Sequence, residues 1–346
     1  MASQPQTLAS LQYLRAIAAM MVVYHHAIGQ IDAYSAQLSD YRIGPSGVDL
    51  FFVLSGFIMY YITDLRPQPA LQFLKNRLIR VAPIYWLVTL VVCALVWLVP
   101  TLFKTTQIDA TTIAMSLLFI PHYSLAFPGQ ISPILVPGWT LNYEMFFYAL
   151  FALALLTRSR AFIIAGVIVS LVLIGRVSHS THAVVVTFTH NVMLEFLFGV
   201  LIGKWFLRKD SMIGTPTVAW AVIGAGAVGM ALLPQLDGIN DLRFVARGIP
   251  AALIVLGVLA LERTQPVRFM SLPLLLGNAS YSLYLTHILA LGLYRELWRL
   301  TVTPTDSTVQ ALLFILTASV FCAAVGIASY RMLERPMDRW LRGRPS

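Results

Sequence analysis

The sequence predicts an all-α integral membrane protein with ten transmembrane helices and both termini cytoplasmic. Three observations predict it. Of 346 residues, 58% are hydrophobic and only 11% charged, and the mean hydropathy is +0.76. A soluble domain carries about 25% charged residues, so this chain has too little polar surface to coat a water-facing globule. Its apolar residues fall into ten runs near the ~20 residues a spanning helix needs. Its basic residues (24 Lys and Arg against 15 Asp and Glu, formal net charge +9) punctuate those runs. A nucleic-acid binder would gather them into a polar stripe, and nucleic acid is not an expected partner.

The first run, 10–29, contains Arg15 and the pair His25–His26. The second, 46–63, follows Gly44–Pro45, and the third, 78–100, grows out of the cluster Lys75, Arg77 and Arg80. A weak run at 111–120 is too short to span and lies among Pro121, Pro128, Gly129, Pro133, Pro137 and Gly138. Residues 101–138 are therefore read as one long outer segment that dips toward the membrane. The fourth run, 139–157, stops at Arg158, and the fifth, 161–177, follows Arg160. The remaining five are 184–206, 216–234, 244–262, 273–295 and 308–331. With the N-terminus inside, the cytoplasmic segments hold 16 of the 24 basic residues, including Arg66, Arg158, Lys204, Arg208, Lys209, Arg263, Arg268 and the C-terminal group Arg331 to Arg344. The outer side holds 7: Arg42, Lys104, Arg176, Arg243, Arg247, Arg295 and Arg299. That bias orients the chain, and counting 111–120 as a span would reverse it. One transmembrane domain, 8–335, followed by a basic cytoplasmic tail, 336–346, accounts for the sequence without repeats. No cleaved signal peptide is expected, because the segment before Leu11 has no Lys or Arg. Cys93 and Cys322 lie inside apolar runs as small packing residues, with neither the number nor the spacing for a disulfide framework or a metal site.

Ionisable residues inside spans are costly and mark function by default. Arg15 and His26 are eleven apart, which leaves them about 20° from one helical line and about 16 Å apart along the axis. They share a face, and His25 points about 100° away. The competing reading sends Arg15 and His26 to opposite headgroup layers. In the second run, Ser46 and Asp49 have the spacing of a capping box with Asp in place of Glu. The alternative places Asp49 at the depth of His26, where a carboxylate orients the imidazole as a base. Glu144, in Trp139-Thr-Leu-Asn142-Tyr-Glu144, lies a turn below the outer surface, and His287 lies near mid-membrane. A lone histidine among apolar residues is also readily explained as a satisfied packing residue. Glu195 and His190 are weaker candidates. On the inner side, Arg77 and Arg80 share a face and suit phosphates through forked hydrogen bonds, although positive-inside anchoring explains them too.

Five motifs occur in order: Arg15-x10-His26, Gly47-Val-Asp49-Leu-Phe-Phe-Val-Leu-Ser55-Gly56, Phe73-x3-Arg77-x2-Arg80-x2-Pro83, Trp139-Thr-Leu-x2-Glu144 and Ser280-Tyr281-Ser-Leu-Tyr-Leu-x-His287. Together they resemble the membrane-bound acyltransferase family 3, in particular its exopolysaccharide acetyltransferase-like branch, from about residue 8 to 335. The resemblance implies an enzyme of the bacterial cytoplasmic (inner) membrane that moves an acyl group, usually acetyl, from acyl-coenzyme A to a hydroxyl of a glycan or lipid-linked sugar. It makes His26 the catalytic histidine and Arg15 its companion, and it ties Arg77 and Arg80 to coenzyme A. Two departures stand out. Many relatives have adjacent acids where this chain has Glu144-Met145, and some append an esterase-like domain that is not expected here.

The expected mechanism follows. Arg77 and Arg80 hold the phosphates of acyl-CoA (acetyl-CoA above all), and its thioester arm extends beside Arg15. His26, oriented by Asp49 or Glu144, is the general base on the acceptor hydroxyl. Trp139, Asn142, Ser55, Tyr281 and His287 line the acceptor route, lipid surrounds the bundle, and no metal takes part. A transient acyl-histidine stays open beside direct transfer. So do two other classes: a proton-coupled transporter of a small polar solute, and a non-catalytic scaffold.

Overall fold

A computed structural model describes residues 8–30, 44–100, 107–208, 215–236, 238–265, 269–303 and 307–343. Of the charge pattern above, Arg42, Lys104, Lys209, Arg268 and Arg344 lie outside the described residues, as do 101–106 of the long outer segment and 344–346 of the tail. The described chain is helical: α1 (Ala9–Ile28), α2 (Ser46–Leu65), α3 (Ala70–Leu98), α4 (Ala110–Leu117), α5 (Trp139–Ala154), α6 (Arg160–Val177), α7 (Ala183–Phe188), α8 (Met193–Phe206), α9 (Pro216–Leu232), α10 (Ile249–Thr264), α11 (Ser271–Thr301), α12 (Thr308–Ser329) and α13 (Arg335–Leu341). A π-helical turn, Phe244–Gly248, leads into α10. The β-structure among the described residues is one isolated bridge, Tyr123 to Ile131.

Each of the ten apolar runs folds as helix, the sixth as α7 and α8 in series. Among the described residues, eight helical stretches are long and apolar enough to cross a membrane, which makes this a multi-pass membrane protein. The two runs outside that set are α1 and α5. The first loses apolar character to Gln12, Arg15, His25 and His26, and the second is only 16 residues long. These two helices carry Arg15, His26, Asn142 and Glu144, so the shortfall in span character falls where the sequence places chemistry. Many large apolar side chains stay uncovered, among them Trp97, Phe162, Leu173, Trp220 and Leu316. In a bilayer these face acyl chains, where leaving them uncovered costs nothing.

The helices form two compact units. The first comprises 8–66 and 195–332. In it α1 runs antiparallel to α2, with Gly47 of α2 against the Ala18 carbonyl, and parallel to α11, with Gly277 against the Gln12 carbonyl. The core joins Leu14, Ala18, Leu50, Leu54 and Phe57 to Phe206, Val255 and Leu259. A second cluster joins Val23 and Ala27 to Leu283, Leu291, Phe314 and Cys322. α9 packs on α10, but only 17% of its apolar stretch is buried. Lipid offers no hydrophobic drive for helix pairing, so close approach rests on small residues. A Cβ on Gly56 would run into the Phe196 carbonyl, and one on Gly199 into that of Val53. Gly56→Val is accordingly expected to cost about 3 kcal/mol or more by overpacking. It should appear in fluorescence-detected size exclusion as loss of the monodisperse peak, whereas Gly224→Ala, which meets open space, should leave that peak intact.

The second unit comprises 67–194 and 333–343. Phe73 of α3 packs against Tyr148 and Phe151 of α5, at ring separations of 6.3 and 5.2 Å. Pro83 lies inside α3 and removes one helical hydrogen bond. α4 is the weak 111–120 run, eight residues long and capped by Asp109, which accepts from the Thr112 backbone N–H. Those bonds and the Thr112 hydroxyl hold the Asp109 carboxyl below its usual range. At the other end, Tyr85 Oη donates to the Ser116 carbonyl (3.0 Å) and Trp86 Nε1 to the Leu117 carbonyl (2.7 Å). Both acceptors are carbonyls of the last turn of a short helix, where intrahelical donors run out, and the two bonds tether the outer segment to α3.

Candidate active site

The first unit brings together two histidines that the sequence assigned to different roles. His25 and His26 close the last turn of α1; His25 is exposed and His26 half-buried. The His26 ring lies 5.1 Å from that of His287, tilted by 40°, and equally far from that of His25. His287 sits fully buried on α11, with Nδ1 2.7 Å from the Tyr284 carbonyl oxygen. A carbonyl only accepts, so Nδ1 carries the proton and Nε2 is left with its lone pair. Nε2 is buried and has no hydrogen-bond partner among the described residues. Arg15 is half-buried on the same stripe of α1 as His26, Ser55 is buried in α2, and Tyr281 is half-buried six residues before His287.

Asp49 occupies a different environment from the one expected. α2 begins at Ser46 behind Pro45 with no side-chain cap, so the capping box does not form. Asp49 is fully buried, and both of its oxygens are taken by Arg243: Nε lies 2.8 Å from Oδ1 and Nη2 3.1 Å from Oδ2. Glu195 of α8, also fully buried, places Oε1 4.0 Å from the same Nε, and neither of its oxygens has a hydrogen bond. The orienting contact expected from Asp49 to His26 is thus replaced by a fork onto Arg243, and the ring neighbours of His26 are His25 and His287. Sequence reasoning counted Arg243 as an outer-loop charge. The signal was present nonetheless: a buried acid demands a cation at its own depth, and Arg243, like Asp49, stands at the beginning of an apolar run.

The second unit holds a cluster of three cations and three acids around the start of α3. Arg80 pairs with buried Glu334. The Arg77 guanidinium carbon lies 6.0 Å from the Phe73 ring centre, its Nε is buried without a hydrogen bond, and Tyr148 and Glu144 lie within electrostatic reach. Tyr148 donates to Glu144, so the acid expected to orient His26 is engaged by its own helix. Arg342, just past α13, reaches Asp338 (2.8 Å) and the Asn76 carbonyl (3.4 Å). Glu334 and Tyr148 were not anticipated. Trp139 stands edge-on to Tyr143 at 5.9 Å, and Asn142 is buried with Oδ1 unpartnered. No group of three or more His, Cys, Asp or Glu that could hold a metal occurs among the described residues.

One unit thus holds His26 beside a buried histidine whose Nδ1 is engaged, and the other holds a half-buried arginine cluster in which Arg80 is paired with Glu334. The comparisons show the family. The sequence profile of the acyltransferase domain family (acyltransferase 3) matches residues 8–330. The exopolysaccharide production protein ExoZ of Rhizobium meliloti (strain 1021) is 40% identical over 311 residues, which cover 88% of this chain and 92% of that protein. No solved structure matches. With the profile spanning nearly the whole chain and its motifs placed on α1, α2, α3, α5 and α11, the chain belongs to the acyltransferase 3 family.

Proposed function

We propose that the protein transfers an acyl group, acetyl by preference, from acyl-coenzyme A to a hydroxyl of an exopolysaccharide or its lipid-linked precursor. The setting is the bacterial cytoplasmic membrane, which the chain crosses ten times with both ends inside. The observation that carries the reading is His26 set ring against ring with His287 in a chain of an acyltransferase family. The name of the Rhizobium relative supports the acceptor class. The parallel run of α1 and α11 agrees with the ten-span path, in which the first and ninth spans point the same way.

In this reading a His26 ring nitrogen takes the proton of the sugar hydroxyl as its oxygen attacks the thioester carbonyl. The carbon–sulfur bond breaks, and the thiolate of coenzyme A leaves with the proton that His26 held. Positioned proton transfer of this kind contributes about 10²–10⁴-fold. Arg77 and Arg80 bind the donor's phosphates, Arg15 lies along the donor's thioester arm, and Trp139, Asn142, Ser55 and Tyr281 serve the acceptor.

Purified protein in nanodiscs, given radiolabelled acetyl-CoA and isolated exopolysaccharide, should move label to the glycan. Solute flux without any acyl donor would favour the transporter reading and end this one. Arg77→Ala should raise the KM for acetyl-CoA about tenfold with kcat little changed, the loss of roughly one charge-assisted hydrogen bond. An unchanged KM would remove Arg77 from the donor site.

A further inference from the structure

The outer segment of the second unit contains a cleft that the acyl-transfer chemistry does not use. It is lined by residues between Gln107 and Val136 and has about 30 Å³ of enclosed space opening onto a wider mouth. At roughly 10–15 Å³ per water-sized group, the enclosed part holds two such groups. None of the lining residues is charged, and the polar ones are Gln107, Thr112, His122, Ser124 and Ser132.

Three of these groups have hydrogen-bonding capacity to spare. Ser132 is 5% exposed, and its Oγ is buried with no hydrogen-bond partner among the described residues. His122 is buried and donates Nδ1–H to the Ile120 carbonyl at 2.9 Å, which leaves Nε2 as an acceptor. A third, Ser124, already accepts from the backbone N–H groups of Ala126 and Phe127, so its own hydroxyl proton is free to donate. The rim adds Leu125 and Phe127, both exposed. The wall is held in place: Phe119 takes a left-handed φ of 58° and stacks on Tyr85 at 5.0 Å. Ile120 N–H bonds back to the Met115 carbonyl at 2.9 Å, which sets His122 against the cleft.

A buried hydroxyl without a partner costs free energy unless something fills its place. The complement to an uncharged set of donors and acceptors beneath an aromatic rim is a neutral polyol with an apolar ring face. A phosphate or a nucleotide would need cations that this cleft lacks. We infer that this cleft is a carbohydrate subsite, in which two neighbouring sugar hydroxyls enter to meet Ser132, His122 and Ser124 while a ring face rests on Phe127. The inference deepens the proposed function by giving the acceptor a docking place, and it rests on that reading for its biological sense. Its test does not depend on catalysis.

Saturation-transfer NMR on the full chain in nanodiscs, with methyl β-glucopyranoside and methyl β-galactopyranoside as probes, should show transfer to the ring protons of at least one. Acetyl-CoA should not compete. Ser132→Leu, which fills the enclosed space, should abolish the signal. Phe127→Ala, an exposed change that leaves the fold alone, should weaken binding about fivefold. If Ser132→Leu fails to fold, Phe127→Ala decides. No transfer with the wild type, or transfer undiminished in Phe127→Ala, overturns the subsite. A protein that binds glycosides in this way yet never transfers acetyl would instead count against the proposed function and leave the subsite standing.

Discussion

His26→Ala is expected to reduce acyl transfer at least 10²–10⁴-fold, the usual contribution of a positioned proton-transfer group, with normal insertion and folding. Folding should survive because His26 is half-buried at the last turn of α1, outside the packed clusters that hold α1 to α2 and α11. The neighbouring substitution sharpens the test. His25 is one residue away but exposed, so His25→Ala should keep most of its activity. Turnover of labelled acetyl-CoA by purified variants, each checked by size exclusion, measures both. Equal loss from the two would mean that the helical face of α1 does not decide function, and a fully active His26→Ala would take the base away altogether.

Arg243→Leu is expected to be the most damaging single change to the fold. It leaves Asp49 buried without its fork and Glu195 buried without the cation 4.0 Å from its Oε1. Removing one partner of a buried ion pair typically costs about 3–5 kcal/mol, a large part of the stability of an ordinary domain. Thermal unfolding followed by intrinsic fluorescence should show a strongly lowered midpoint or no folded protein. Asp49→Asn in the same chain should recover part of the loss, because the stranded charge is then gone; additive damage from the two substitutions would show that they do not act on one pair.

The sequence disclosed the helices more completely than the contacts between them. Apolar run length is a local property, and each of the ten runs expected to be helical is helical; the weak 111–120 stretch, read only as part of the outer segment, holds the helix α4 as well. Shared faces were local as well: the half-burial of Arg15 and His26 and the exposure of His25 follow from turns of 100°. Partner choice was not local. Asp49 had two sequence-level explanations, a cap and an orienting acid, and the fold supplied a third through Arg243, 194 residues away. Arg80 and Glu334 are 254 residues apart, and the acid stood among the C-terminal arginines with nothing to single it out. Charge counting sorts loops by side of the membrane, but it does not say which cation turns inward to meet which acid. His287 is the instructive case, since its motif was visible while its place against His26 needed the parallel packing of α1 and α11.

The slight burial of α9 has a consequence for any attempt to handle this protein. A stretch of about 20 residues spans about 30 Å, the thickness of an average hydrocarbon core, and α9 has α10 as its principal protein neighbour. Most of its surface is thus left to lipid, so short-chain detergents or thin vesicles should change the surroundings of this helix more than those of the well-covered α2.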